Sequence, residues 1–270
     1  MAETSTRVTV PIAEVAVEAY RSVFGRLGLL FDLAWLPLII MLAATLLPGY
    51  LHFYLGWAAL PSWKTGPVEL RTEDIIAAIV SLVCLSAFAV RWHQAMLFTG
   101  ERHPPVAIFF SAWLRFLLYT LILYLVSATL VALLSVAEAI SAPAYLAPVA
   151  ALATMILWVG VLRCSLLFPA AAYGKPLGLG TAWRAMRGNS WRFLGCEFLA
   201  CVPLTMVVVL VLSAIVKALH LDEDGVHVPM GFFILRGLIG TGTDVIVVAL
   251  GASVLASFYR RIMLRGLGSF

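Results

Sequence analysis

Three carboxylates stand inside long apolar runs of this sequence: Asp32, Glu197 and Asp244. An acid at bilayer depth costs free energy to insert, so each is a candidate for carrying a proton or cation. Asp32 and Glu197 lie six and five residues after Arg26 and Arg192. Both are near enough to the inner edge of a membrane for a structural ion pair to compete with that reading. Asp244 follows Gly237, Gly240 and Gly242, where the backbone either unwinds or packs closely on a neighbour. It is the acid expected to serve a transporter as a titratable site, against the plainer expectation of a polar contact to Arg236, to Ser and Thr groups or to another helix.

Arginines mark the ends of the same runs. Arg26, Arg115 and Arg192 stand at entries, and Arg91, Arg163 and Arg260 at exits. A guanidinium offers a bidentate fork to phosphate, so the six form a candidate ring for lipid headgroups. The competing reading is that they anchor helix ends by snorkelling. Metal-capable side chains cluster in the loop His220, Asp222, Glu223, Asp224 and His227, but their order matches no ligand motif and reads as a solvated acidic loop. His52 and His93 fall near opposite membrane faces, which argues against a metal or haem between them. Neither a phosphate-binding loop, a nucleophile elbow nor an HExxH pair is present. The expectation is therefore no metal, no cofactor and no catalytic residue.

The elements that position these residues follow from composition. At 63% apolar and 12% charged, with a mean hydropathy of +1.02, the chain lies far from the globular range. Apolar runs long enough for a bilayer core recur six times. They are apolar on every face, unlike the alternating strands of a membrane barrel. The predicted class is all-α: an integral membrane protein of six transmembrane helices, about Leu27–Leu47, Ile75–Phe98, Phe116–Ala137, Tyr145–Ala172, Phe193–Leu219 and Leu235–Tyr259. Pro48-Gly49 is expected to end the first span, and the aromatic cluster Tyr50 to Trp57 to lie at headgroup depth.

Two further segments read as cytoplasmic interfacial amphipathic helices. From Ile12 the apolar positions Val15, Ala16, Ala19 and Val23 share one face, with Glu14, Glu18 and Arg21 opposite. Pro176 to Arg192 forms the second, a basic surface piece before re-entry at Trp191-Arg192-Phe193. Of the 18 Lys and Arg, all but Lys64, Arg71, Lys217 and Arg236 fall on one side of this topology, so both termini are expected in the cytoplasm. The basic pI is then topological, and nucleic acid is excluded as the partner. Cys84, Cys164, Cys196 and Cys201 lie in or beside spans without the spacing of a zinc site.

A repeat organises the whole. Arg21, Arg26, Pro37 and Leu38 have the same spacings as Arg187, Arg192, Pro203 and Leu204, and Trp113-Leu114-Arg115-Phe116 echoes part of the pattern. These mark three tandem helical hairpins within one membrane domain, roughly 12–99, 104–172 and 176–265. Units of two crossings all enter from one side, unlike inverted repeats.

The Arg163-x4-Phe168-Pro169 exit, the Ala182-Trp183-Arg184-x2-Arg187-Gly188-Asn189 surface piece and the Trp191-Arg192-Phe193 re-entry resemble the membrane domain attached to some glycerophosphoryl diester phosphodiesterases and its stand-alone bacterial multi-pass relatives. The likeness covers Arg163 to Leu204. It implies a membrane module near lipid headgroups; the phosphodiesterase barrel and its metal-binding acids have no counterpart here. The function expected is a non-enzymatic, multi-pass protein of a bacterial inner membrane, a scaffold or accessory subunit. Its expected partners are membrane lipids, anionic phospholipid among them, and a membrane-protein complex or a second copy. The alternative is a transporter or lipid-handling protein working through Asp244.

Overall fold

A computed structural model describes residues 9–55, 72–98, 106–139, 146–219 and 230–264. Among them every regular element is a helix. In chain order these are α1 (Ile12–Phe24), α2 (Leu27–Leu55), α3 (Thr72–Leu97), α4 (Val106–Ala139), α5 (Leu146–Cys164), α6 (Leu167–Ala172), α7 (Leu179–Ala185), α8 (Ser190–Ala218) and α9 (Met230–Tyr259), which runs into one π-helical turn, Arg260–Leu264. Five segments are long and apolar enough to cross a membrane: Leu27–Leu47, Ile75–Leu97, Phe109–Val126, Ser190–Ala218 and Met230–Leu264.

Several boundaries differ from those expected. Pro48-Gly49 does not end α2, which continues to Leu55. α4 begins ten residues before Phe116, because the apolar Val106 to Ala112 after Pro104-Pro105 extends the helix and leaves Arg115 inside it rather than at its entry. The glycines before Asp244 neither unwind nor break α9, which is continuous from Met230. The expected fourth span is two helices. α5 stops at Cys164 and α6 starts at Leu167, since Pro169 has no N–H for the Ser165 carbonyl and suits only a first turn. The Ser165 hydroxyl turns back to the Leu162 carbonyl at 2.8 Å. Phe168-Pro169 is thus no exit to the surface: Leu167, Pro169, Ala170, Ala171 and Ala172 are buried. Tyr145, residues 56–71, the acidic loop 220–229 and the Gly100 to Pro105 turn lie outside the described residues.

α9 is the axis of the packing and touches α1, α2, α3, α6 and α8. Its second half supplies small side chains, with Ala249, Ala252, Ser253, Ala256 and Ser257 all buried, and these let neighbouring backbones approach. α3 is fastened to three neighbours. Trp92 donates its indole N–H to Ser253 of α9 at 2.9 Å, Trp113 of α4 donates to Ser86 at 3.0 Å, and Gln94 donates to the Ala172 carbonyl of α6 at 3.2 Å. Phe98 stacks on Tyr173 at a ring separation of 5.0 Å, and Tyr173 meets Tyr259 at a tilt, 6.1 Å away. The end of α3, the end of α6 and the end of α9 therefore meet at one end of the bundle.

Trp92 is fully buried, so its N–H has no solvent to turn to. Ser253→Ala leaves that donor orphaned at a cost of about 1–3 kcal/mol. Thr205→Ala, on an exposed hydroxyl bonded within its own helix, should stay within roughly 0.5 kcal/mol. Thermal unfolding of both variants in detergent compares them, and equal midpoints would refute the tie.

Candidate functional site

α1 and the end of α9 come together beside the start of α8. α1 presents Val15, Ala16, Ala19 and Val23 as its buried side, packed against α8 and α9. The approach to α1 is bonded by side chains. Val10 N–H donates to the Asn189 side-chain oxygen at 3.4 Å, Arg192 donates to the Val10 carbonyl at 3.1 Å, and the Cys196 thiol reaches the Ile12 carbonyl at 3.5 Å. Gly195 gives Ile12 its room, since a Cβ there would come within 3.3 Å of the isoleucine side chain.

Further along, Tyr20 donates its hydroxyl to the Leu199 carbonyl at 3.4 Å. That carbonyl is available because Pro203, four residues on and inside α8, has no N–H to offer it. Burial raises the Tyr20 phenol above its usual range, with Cys201 adding to the shift, so it stays a neutral donor.

The last turn of α9 completes the site. Glu18 bridges two guanidinium groups, one oxygen 2.7 Å from Arg260 and the other 3.1 Å from Arg261, while Arg261 also reaches Glu14 at 3.5 Å. Adjacent residues face one carboxylate because the wider turn beginning at Arg260 rotates them less than an α-turn would. Glu18, Ser257, Arg260, Arg261 and Leu264 line an open cleft of about 340 Å³. Arg260 also lies 3.4 Å from the Ser257 hydroxyl. Chemically this is a paired charge cluster. Glu18 occupies the fork that a phosphate would use.

The six arginines are held in different ways. Arg260 pairs with Glu18, Arg192 bonds Val10, Arg91 stands 4.3 Å over the Phe109 ring, and Arg163 stands 4.7 Å over the Trp183 ring. Arg26 and Arg115 are exposed. Neither Asp32 nor Glu197 forms an ion pair with a described residue, because at 3.6 residues per turn positions five or six apart point to different faces. Glu197 instead lies in the seam between α8 and α9, 3.6 Å from the Cys201 thiol. A Cβ at Gly251 would stand 3.2 Å from its carboxylate. Asp32 and Asp244 are exposed. His93 is buried with its Nδ1 unpartnered, and its ring lies 5.9 Å from Phe116. Among the described residues no group of three acids, histidines or cysteines could hold a metal.

Sequence reasoning missed the pairing of Glu14 and Glu18 with Arg260 and Arg261. The signal was present as two acids one helical turn apart, set against adjacent arginines of opposite charge.

Tyr20→Phe should cost about 0.6 kcal/mol, a usual value for a hydrogen bond between membrane helices. Pro203→Ala restores the intrahelical N–H, so the cost of Tyr20→Phe should vanish in that background. A double-mutant cycle by detergent unfolding reads the coupling, and additive effects would refute it. No family model, curated protein or solved structure matches this chain, and its function is to be read from this junction and from Asp244.

Proposed function

We propose that the chain is a non-enzymatic, six-span membrane protein, a scaffold or accessory subunit that seats another membrane helix against the Gly240 to Asp244 face of α9. The observation that carries this is the position of Asp244. It is the fifteenth of the thirty residues of α9, about 22 Å from either end at 1.5 Å per residue, and it is exposed. A carboxylate facing lipid at that depth costs about 2.5–3.5 kcal/mol on insertion scales. A partner helix would replace the lipid. A Cβ at Gly240, one turn before Asp244 on the same face, would meet nothing within 4 Å, so a second backbone has room to approach. Polar side chains elsewhere in the bundle are used as ties between helices, as at Trp92 and Ser253, which suits a supporting role.

Six crossings are supported by the junction. α1 and the end of α9 share one end of the bundle, which requires an even number of crossings between them, and the nineteen residues of α5 with α6 add one to the five long helices. The excess of Lys and Arg on that side favours a cytoplasmic location for both termini in a bacterial inner membrane, with α1 and α7 as interfacial helices. The resemblance of Arg163 to Leu204 to the membrane domain attached to phosphodiesterases points the same way, toward a module that accompanies other activities.

A photo-crosslinking residue at position 244, in native membranes, should yield a discrete protein adduct, whereas at the exposed Leu210 of α8 it should yield lipid adducts. Lipid adducts at both positions would overturn the reading. A proton- or cation-linked flux in vesicles that Asp244→Asn abolishes, with unchanged thermal stability, would establish the transporter instead. Reporter fusions after Phe270 and within Gly100 to Pro105 should both report cytoplasm, and an external signal from either would sink the six-span topology.

A further inference from the structure

Between Glu138 and Glu197 the sequence holds no acid, yet Lys175, Arg184, Arg187 and Arg192 fall in the second half of that interval. In the structure Lys175 precedes α7, Arg184 lies within it and Arg187 follows it, and all three are exposed. α7 turns Ala182 and the following Met186 into the core, and this orientation leaves Leu179, Trp183, Arg184 and Arg187 exposed. Gly188, at φ +88°, turns the chain into α8, whose Trp191 is 63% exposed. Trp183 and Trp191 thus flank the two arginines.

Each base is presented rather than neutralised. The Arg184 Nε donates to the Gly180 carbonyl at 3.2 Å, which fixes the guanidinium and leaves its terminal nitrogens available. Lys175 lies 5.7 Å over the Tyr173 ring. None of the three makes an ion pair with a described residue, while Glu14 and Glu18 of α1 are engaged by Arg260 and Arg261. Depth is set by Trp183. One face of its indole takes the Arg163 guanidinium at 4.7 Å, and its edge lies 4.0 Å from where a Cβ on Gly160 would be. The indole therefore rests against the last turns of α5, at the level where tryptophan meets headgroups.

We infer that Lys175, Arg184 and Arg187, flanked by Trp183 and Trp191, form a docking surface for phospholipids of net negative headgroup in the leaflet that surrounds this end of the bundle. The arginine forks match phosphate oxygens, the indoles match the glycerol and upper acyl region, and none of the three bases is taken up by a described acid. This surface is separate from the Asp244 face, so a partner helix at Asp244 and a lipid here can fail independently.

The test uses the full chain in nanodiscs of phosphatidylcholine with and without phosphatidylglycerol. Lipid retained through detergent washing is counted by native mass spectrometry. Each base near an anionic surface changes association by about fivefold, so Arg184→Gln with Arg187→Gln should lower phosphatidylglycerol retention by about 25-fold while phosphatidylcholine retention and thermal stability stay unchanged. Arg21→Gln with Lys217→Gln, both exposed, removes the same charge elsewhere and should leave retention within about twofold of the parent. Equal losses in the two double variants would reduce the effect to net charge and overturn the proposal. So would protection of the parent by inorganic phosphate in phosphatidylcholine discs to the same degree as by phosphatidylglycerol, because the surface would then suit a soluble anion.

Discussion

A backbone carbonyl inside a bilayer has no water to turn to, and wherever a helix breaks or a chain end docks, something else must bond it. That constraint accounts for most of the polar side chains that matter here. Gln94 takes the carbonyl of Ala172, Arg192 that of Val10, Cys196 that of Ile12 and Tyr20 that of Leu199. Three of these acceptors sit where regular helical pairing stops: Ala172 at the end of α6, Val10 on the approach to α1, and Leu199 at the gap left by Pro203. The bundle is apolar by composition, but its specificity lies in where these few donors fall.

The same logic sorts the arginines. A guanidinium at a helix end has three ways to be stable near a membrane: a carboxylate, an aromatic face or a headgroup. Arg260 and Arg261 have the first, Arg91 and Arg163 the second. Arg184 and Arg187 have neither, which is why the surface around Trp183 differs from the junction around Glu18 although both are rich in arginine. Net charge alone would have treated them alike.

Sequence reading was strongest where one physical signal dominated. Long runs apolar on every face allowed only helices, and the face formed by Val15, Ala16, Ala19 and Val23 is the one that α1 buries. It was weaker where neighbouring residues decided the outcome. Proline and glycine mark a stop at Pro48-Gly49 by their local preferences, yet α2 continues through them. Pro169 was taken as an exit, yet packing against α3, α4 and α9 draws the segment that holds it into the core. The ion pairs linking Glu18 to Arg260 and Arg261 join residues more than 240 positions apart, and periodicity, which is local, says nothing about such pairs. Asp244 was visible as an acid in a span, but which way it faces depends on the packing of α9.

The docking of α1 on α8 and α9 also bears on biosynthesis. Val10, Ile12 and Tyr20 are made first, whereas their partners lie 179 to 184 residues later and those of Glu18 later still. At 5–20 residues per second the wait is roughly 10 to 50 s. Throughout that interval the approach to α1 has open backbone groups and is best satisfied in water or among headgroups. α1 therefore leaves the ribosome well before it can reach its place, and its docking marks a chain in which α9 is already in.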